Sequence, residues 1–172
     1  LAELKQHHYE ELELQLNKQL ESLNSFSFPS TELPIVHAII DFKSKSAKES
    51  SAKIECSTRI LAKSTINDID LAILLGNLLD NAIEATAVLP DHSKKEIRVF
   101  VEVTEPQMIV SVTNPVIKDI NVNHLKTTKN DSQNHGYGLL AVRRIADKYN
   151  GTLLLDCQNN TFGASAVLNQ PE

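Results

Sequence analysis

The sequence predicts a two-layer α/β sandwich, in which helices cover one face of a mixed, mostly antiparallel β-sheet. Apolar and polar residues alternate in the predicted strands, as expected for a sheet with one dry face, whereas parallel strands buried on both faces form continuous apolar runs. Between the strands, apolar residues recur at helical spacings of three and four. The pair Asn159-Asn160 between two alternating segments is a hairpin signal. A doubly wound parallel fold is therefore disfavoured.

Composition limits both the number of domains and the classes of partner. The chain has 172 residues, of which 41% are hydrophobic, enough for one well-packed core and an appendage. Its net charge of -5 disfavours binding to nucleic acid or to an anionic membrane surface. No apolar run approaches the roughly 20 residues that span a bilayer, so we expect the chain to be soluble. Cys56 and Cys157 lack a metal-ligand spacing, and we interpret both as buried hydrophobes in a reducing compartment.

The N-terminal region predicts a separate helix. Apolar residues recur every three or four positions through residues 1–24, which is typical of an amphipathic helix. Serines and prolines then interrupt the pattern in residues 25–34, and the helix is followed by a short linker. We therefore divide the chain into residues 1–28 and residues 29–172.

The first helix and the strands of the larger domain follow from periodicity. Ile35, Ile39 and Phe42 form an apolar stripe on a helix predicted over residues 35–48. Alternation then predicts five strands, with the second and third forming one hairpin and the last two another. The strand segments are residues 54–58, 97–103, 109–112, 153–157 and 162–168.

A second helix carries an unusual polar stripe. Asn67 is a plausible N-cap, and a broad apolar face runs through residues 71–83. The opposite side carries amides and carboxylates at spacings of three and four, at Asn77, Asp80, Asn81 and Glu84. One interpretation is a solvated face. The other is a set of oxygen ligands for Mg²⁺, and the argument for it is that Asn, Asp and the mid-helix Gly76 are poor helix formers. The pattern alone leaves both interpretations open.

Two of the chain's five glycines precede the third predicted helix of the larger domain. Gly136 and Gly138 stand just before residues 139–146, where backbone N–H groups at a helix start can approach an anion closely. The preceding residues 124–134 are almost without apolar side chains and carry two lysines, Lys126 and Lys129, suited to a lid over a phosphate. An ordinary loop-to-helix turn is the alternative for this segment.

Together, these two segments resemble the GHKL superfamily of ATP-binding domains. Residues 75–85 resemble its N box, and residues 135–140 resemble its last glycine box. The stretch 33–168 is similar to the kinase domains of Gram-positive peptide-sensing receptors of the Agr and Com type, which act in quorum sensing. The resemblance implies a Bergerat-type sandwich that uses ATP and Mg²⁺ as cofactors.

The resemblance also assigns roles to individual residues. Asn81 would coordinate Mg²⁺, Asn77 would lie beside the phosphates, and both would be the catalytic residues. Gly136 and Gly138 would lie under the lid. The remaining expected ATP-binding residues are Asp80, Glu84, Asn114, Lys129, His135, Tyr137 and Leu139.

The adenine-reading position departs from the wider superfamily, which places an Asp followed by glycines there. This chain has Asn114 and Pro115 after the strand. The side-chain oxygen of Asn114 can accept the same hydrogen bond without carrying a charge. The receptor-kinase subgroup looks similar in lacking the glycines.

One position separates a kinase from a hydrolase. GHKL hydrolases place a Glu four residues before the magnesium Asn, where it activates water as a general base. This chain has Asn77 there, and an amide has no useful basicity. The resemblance therefore implies transfer of the γ-phosphoryl group to a histidine.

The acceptor histidine is not evident among the six histidines. His7 and His8 precede Tyr9, but no Gly or Pro provides the turn that a helical hairpin needs after them. We expect the acceptor to lie upstream of Leu1, so that this chain binds ATP without labelling itself. We expect structural or lid roles for the others, His37, His92, His124 and His135.

The resemblance further implies the context of the chain. It implies the cytoplasmic portion of a membrane-anchored receptor, with an upstream dimerisation and phosphoacceptor helix, a membrane sensor domain and a homodimeric state. A response regulator would be the relay partner, and no nucleic acid is expected. Two alternatives stay open, namely a GHKL-type ATPase and a catalytically silent dimerisation or scaffold module on the same sandwich.

Overall fold

The computed structural model describes residues 33–90, 93–122 and 137–170. These ranges contain three helices and five strands in the order α1, β1, α2, β2, β3, α3, β4, β5. The helices are α1 (Pro34–Glu49), α2 (Asp68–Ala87) and α3 (Tyr137–Lys148). The strands are β1 (Lys53–Ile60), β2 (Glu96–Val103), β3 (Gln107–Pro115), β4 (Thr152–Gln158) and β5 (Thr161–Asn169).

The five strands form one mixed sheet in the order β1-β2-β3-β5-β4. Only β1 and β2 pair in parallel, and the other three pairings are antiparallel. The β4-β5 hairpin turns at Asn159 and Asn160, whose φ angles are 53° and 57°. Asparagine tolerates this left-handed region and is favoured in such two-residue turns. The predicted α/β sandwich with a mostly antiparallel sheet is confirmed.

The core lies between the sheet and the three helices. In β2 and β3 every second residue is buried, and the register sets Val99 against Val112 and Val101 against Val110. The helices cover this side, and α2 contributes its apolar face, including the fully buried Leu75. The alternation seen in the sequence is therefore the alternation between the helix-covered face and the outer face.

Two expectations about individual side chains were wrong. Phe42 is 52% exposed although it shares a helical stripe with Ile35 and Ile39, because it lies at the edge of the buried face of α1, which extends round the helix to Val36 and Ile40. Cys56 is exposed, since β1 is an edge strand with little of its surface covered. Cys157 is partly exposed in the opposite edge strand, β4.

The predicted N-terminal helix of residues 1–24 lies outside the described residues, as do most of the linker and the boundary between residues 1–28 and 29–172. Within the part of the chain that is described, no helix is both long enough and apolar enough to cross a membrane.

Candidate functional site

Helix α2 begins where the sequence predicts. The side-chain oxygen of Asn67 accepts hydrogen bonds from the backbone N–H groups of Ile69, at 2.8 Å, and Asp70, at 3.4 Å. These bonds satisfy two of the N–H groups that a helix start leaves without a partner. The cap therefore fixes the residue at which α2 begins.

Part of the polar stripe faces the start of α3. A β-carbon added to Gly138 would lie 3.2 Å from the side-chain oxygen of Asn77 and 3.3 Å from that of Asn81. The same point lies 3.5 Å from the side-chain nitrogen of Asn81. Two amide side chains from α2 therefore converge on the backbone of α3 at a place where a β-carbon would make tight contacts with them.

The two amides differ in their hydrogen bonding. The Asn77 Nδ2 donates to the backbone oxygen of Ile73, four residues earlier, at 2.7 Å. The Asn81 Nδ2 is buried and has no hydrogen-bond partner among the described residues. A buried donor without a partner costs about 1–3 kcal/mol, so it is the kind of group that a bound ligand satisfies.

Asp80, another residue of the stripe, contacts α1. Both oxygens of Asp80 accept hydrogen bonds from the Nζ of Lys43 in α1, at 2.6 and 2.7 Å. The Lys43 side chain is only 16% exposed, whereas that of Asp80 is 51% exposed. Glu84, one turn further on, is exposed. The structure therefore joins Asn77 and Asn81 to Gly138 and joins Asp80 to α1.

The start of α3 supplies backbone donors to the same region. Tyr137 is its first residue, and the N–H groups of its first turn have no partners within the helix. Leu139 is half-buried and packs against the core. Helix starts of this kind favour negative charge. The other predicted residues of this segment, Lys129, His135 and Gly136, lie outside the described residues.

Asn114 is a polar residue on the covered face of the sheet. It continues the buried series of Met108, Val110 and Val112 along β3 and is 3% exposed. Its Nδ2 donates to the backbone oxygen of Pro115 at 3.0 Å. The remaining polar group of the side chain is its oxygen, which is an acceptor.

Hydrogen bonds of the Gln170 side chain connect the segment before α2 to the segment before β3, and we call them the Gln170 tie. They help to place Asn114 relative to the polar stripe of α2. The side chain of Gln170 accepts from the backbone N–H of Thr65, before α2, and donates to the backbone oxygen of Thr104, before β3. From this tie, about 14 helical residues rise roughly 21 Å to Asn81. About seven strand residues rise roughly 23 Å to Asn114. Both residues therefore lie toward the end of the molecule that is opposite the tie.

The donor set decides which cofactor these residues fit. The described part of the chain holds no group of three or more His, Cys, Asp or Glu side chains suited to a metal ion. Mg²⁺ needs only one or two protein oxygens when phosphates and water complete its octahedron. The converging oxygens of Asn77 and Asn81, and the orphaned Asn81 Nδ2, fit a magnesium-phosphate group better than a free metal ion.

The sequence did not reveal a polar cluster that joins α2 to the C-terminal end of α3. Asp70 Oδ2 accepts hydrogen bonds from Lys148 Nζ and Tyr149 Oη, each at 2.6 Å. Tyr149 Oη also accepts from the backbone N–H of Asn67 at 3.1 Å. We call Asn67, Asp70, Lys148 and Tyr149 the helix clamp.

The clamp shifts the pKa values of two of its members. The hydrogen bond to Asp70 raises the pKa of Lys148 above its ordinary value. Burial, and secondarily the hydrogen bond to Asp70, raises the pKa of the Tyr149 hydroxyl. Both shifts favour the protonated, donating form of the group that contacts Asp70.

A comparison with solved structures finds a similar fold in the catalytic domain of a histidine kinase. The catalytic domain of histidine kinase ThkA, in three nucleotide-free forms, has TM-scores of 0.64 to 0.65 with this chain. The sequences are 17% identical, and the alignments cover 79% of this chain and 90 to 92% of the other. At this identity, the likeness concerns the fold alone.

Comparison with protein families gives a direct match. No curated protein matches the sequence significantly. The family described as the GHKL domain matches residues 66–169, a span that begins just before α2 and ends with β5. This span is more than half of the chain and contains Asn77, Asn81, Asn114 and Gly138. The chain therefore belongs to the GHKL domain family.

Proposed function

We propose that this chain is the catalytic domain of a sensor histidine kinase, which binds Mg-ATP and donates its γ-phosphoryl group to a histidine. The observation that carries the proposal is the convergence of the Asn77 and Asn81 oxygens on Gly138, within 3.2 and 3.3 Å of its β-carbon position. Membership of the GHKL family and the ThkA-like fold support it.

Each residue of this contact has a task in the proposal. The oxygen of Asn81 is the protein ligand for Mg²⁺, and its buried Nδ2 donates to a phosphate oxygen. Asn77 holds its place through its bond to Ile73 and directs its oxygen at the same point. The N–H groups at the start of α3, which have no partners within the helix, would donate to phosphate oxygens. When bound, ATP would supply the transferable phosphoryl group, and Mg²⁺ would neutralise part of the phosphate charge.

Further ATP contacts are proposed from the sequence resemblance. They are Lys129 of the predicted lid and the residues of the glycine segment, His135, Gly136, Tyr137 and Leu139. Asp80 and Glu84, also proposed as ATP contacts, continue the stripe of α2. Asp80 is ion-paired with Lys43, so a bound phosphate would have to share the Lys43 ammonium group with the Asp80 carboxylate. The oxygen of the buried Asn114 is the proposed acceptor for the adenine amino group.

The chemistry of Asn77 favours transfer to a histidine over hydrolysis. Its nitrogen already donates to Ile73, and an amide oxygen does not remove a proton from water. Catalysis then rests on positioning and charge neutralisation, as phosphoryl transfer generally does. The acceptor histidine is proposed to lie upstream of Leu1.

The wider setting follows from the same proposal. The sequence resembles the peptide-sensing receptor kinases of the Agr and Com type, so the proposed process is quorum sensing. The partners would be a membrane sensor domain, a dimerisation helix that forms a homodimer, and a response regulator. The domain itself would act on the cytoplasmic side of the membrane.

Incubation with Mg²⁺ and ATP labelled at its γ-phosphate tests the proposal. We expect the chain to retain ATP without labelling itself, and to release phosphate no faster than Asn81→Ala. Gln107→Ala is the matched control, since it removes an exposed amide near the Gln170 tie, at the opposite end of β3 from Asn114. Sustained release that Asn81→Ala abolishes would identify an ATPase instead. Acid-labile label on His7 or His8 would overturn the upstream acceptor.

A further inference from the structure

Helices α2 and α3 meet at two polar contacts, one near each end of their interface. At one end, the helix clamp joins Asp70 of α2 to Lys148 and Tyr149. At the other end, Gly138 meets Asn77 and Asn81. Asp70 and Gly138 are thus the first and last points of one shared interface.

The spacing along the two helices matches. Asp70 and Asn81 are 11 residues apart, which is about 17 Å along α2. Gly138 and Tyr149 are also 11 residues apart, about 17 Å along α3 and its last turn. Because α3 runs back along α2, a slide of α3 at the clamp would also displace Gly138 relative to Asn77 and Asn81.

The buried side chains between these contacts are apolar. Val142, Ile145 and Ala146 of α3 are buried in the core with Leu74 and Leu78 of α2. Apolar packing holds the helices together but depends weakly on direction, whereas hydrogen bonds to a carboxylate are short and directional. Tyr149 is moreover held on two sides, because its hydroxyl also accepts from the N–H of Asn67.

We propose that Asp70 and Tyr149 are positioning residues that hold Gly138 against Asn77 and Asn81, and so set the geometry of the nucleotide site. They touch no ligand themselves and act through the register of α3 on α2. The inference on nucleotide affinity rests on the proposed function. The inference on the glycine contact does not, because it concerns two contacts within the chain.

The test combines calorimetry with NMR of the nucleotide-free chain. The variants are Tyr149→Phe, Asp70→Ala and Asp70→Asn, the last of which keeps an acceptor oxygen for the Tyr149 hydroxyl. NMR follows the Gly138 backbone amide and the side-chain amides of Asn77 and Asn81. Calorimetry measures affinity for Mg²⁺ with a non-hydrolysable ATP analogue. Gln107→Ala is the control, and circular dichroism verifies that every variant is folded.

We expect Tyr149→Phe and Asp70→Ala to shift the three NMR signals and to weaken analogue binding by roughly two- to thirty-fold, the usual range for coupling mutations. Asp70→Asn should restore most of the affinity. Unmoved signals in folded Tyr149→Phe would overturn the inference, as would an affinity loss in Gln107→Ala of the same size. Failure of the unmodified chain to bind the analogue would overturn the proposed function, while the NMR shifts would still decide the role of the clamp.

Discussion

The side-chain oxygen of Asn81 lies 3.3 Å from the point that a β-carbon on Gly138 would occupy. No glycine in the described ranges has a positive φ, so the requirement at this position is space and not backbone conformation. Because Gly138 has no side chain, the amides of Asn77 and Asn81 occupy the space beside the first turn of α3.

Gly138→Ala tests this closeness. The added methyl group would meet the side-chain oxygens of Asn77 and Asn81 at 3.2 and 3.3 Å, tighter than ordinary contact. The two amides would have to give way by a few tenths of an ångström. Because they are the proposed ligand contacts, we expect affinity for the Mg²⁺-bound ATP analogue to fall about tenfold, which corresponds to about 1.4 kcal/mol. Unchanged affinity measured by calorimetry would contradict the site as described.

Gly76→Ala is a contrasting substitution, at a glycine of α2 that has room for a β-carbon. A β-carbon there meets only the Cε of Lys43, at 4.0 Å, which is ordinary contact. Since Gly in a helix interior is about 1 kcal/mol less favourable than Ala, this substitution should raise the free energy of unfolding by a similar amount. Urea denaturation measures the change. A loss of stability would show that the space beside Gly76 is smaller than the structure indicates.

The ion pair between Lys43 and Asp80 should contribute modestly to stability. Asp80 is half exposed, so we expect a coupling energy of about 0.5–1 kcal/mol. A double-mutant cycle with Lys43→Met and Asp80→Asn isolates it, because Met keeps most of the buried lysine stem. The coupling should shrink at high salt. A coupling that salt does not change would mean that packing, and not charge, links the two positions.

Ionisation of the Tyr149 hydroxyl should lower the free energy of unfolding at alkaline pH. Burial, and then the bond to Asp70, raises its pKa above the ordinary value of 10.0. A raised pKa in the folded state stabilises the fold below the unfolded pKa, and this contribution is lost as pH rises through the folded pKa. The free energy of unfolding should therefore fall more steeply above pH 10 in the unmodified chain than in Tyr149→Phe.

Absorbance of tyrosinate tests the same pKa directly. The chain has three tyrosines and no tryptophan, so the difference between the unmodified chain and Tyr149→Phe reports one residue. We expect that difference to titrate above pH 10. Titration at or below this value would show that the hydroxyl is neither buried nor bonded to Asp70 in solution.

Local patterns predicted much of the fold. The Asn67 cap and the Asn159-Asn160 turn depend on neighbours within a few residues, and both form as expected. The inward alternation of β2 and β3 likewise follows from their own residues. The weakest expectation concerned β1, where Cys56 is exposed because the edge position depends on which strands pair.

The site was only partly predictable, because spacing along one helix does not show what packs on each flank. Asn77, Asp80 and Asn81 form one stripe in the sequence, yet Gly138 meets the two asparagines and Lys43 takes the carboxylate. The bond between Asp70 and Tyr149 joins residues 79 positions apart. No periodicity in the sequence indicates such a pair.

The central claim is that Asn81 belongs to a Mg-ATP site, and titration calorimetry tests it most directly. A non-hydrolysable ATP analogue is titrated with Mg²⁺ into the unmodified chain, Asn81→Ala and the control Gln107→Ala. We predict binding to the unmodified chain and the control, and a loss of at least about tenfold in Asn81→Ala, as expected when a ligand contact worth about 1.4 kcal/mol is removed. Equal binding by all three proteins, or no binding heat in any of them, would contradict the claim.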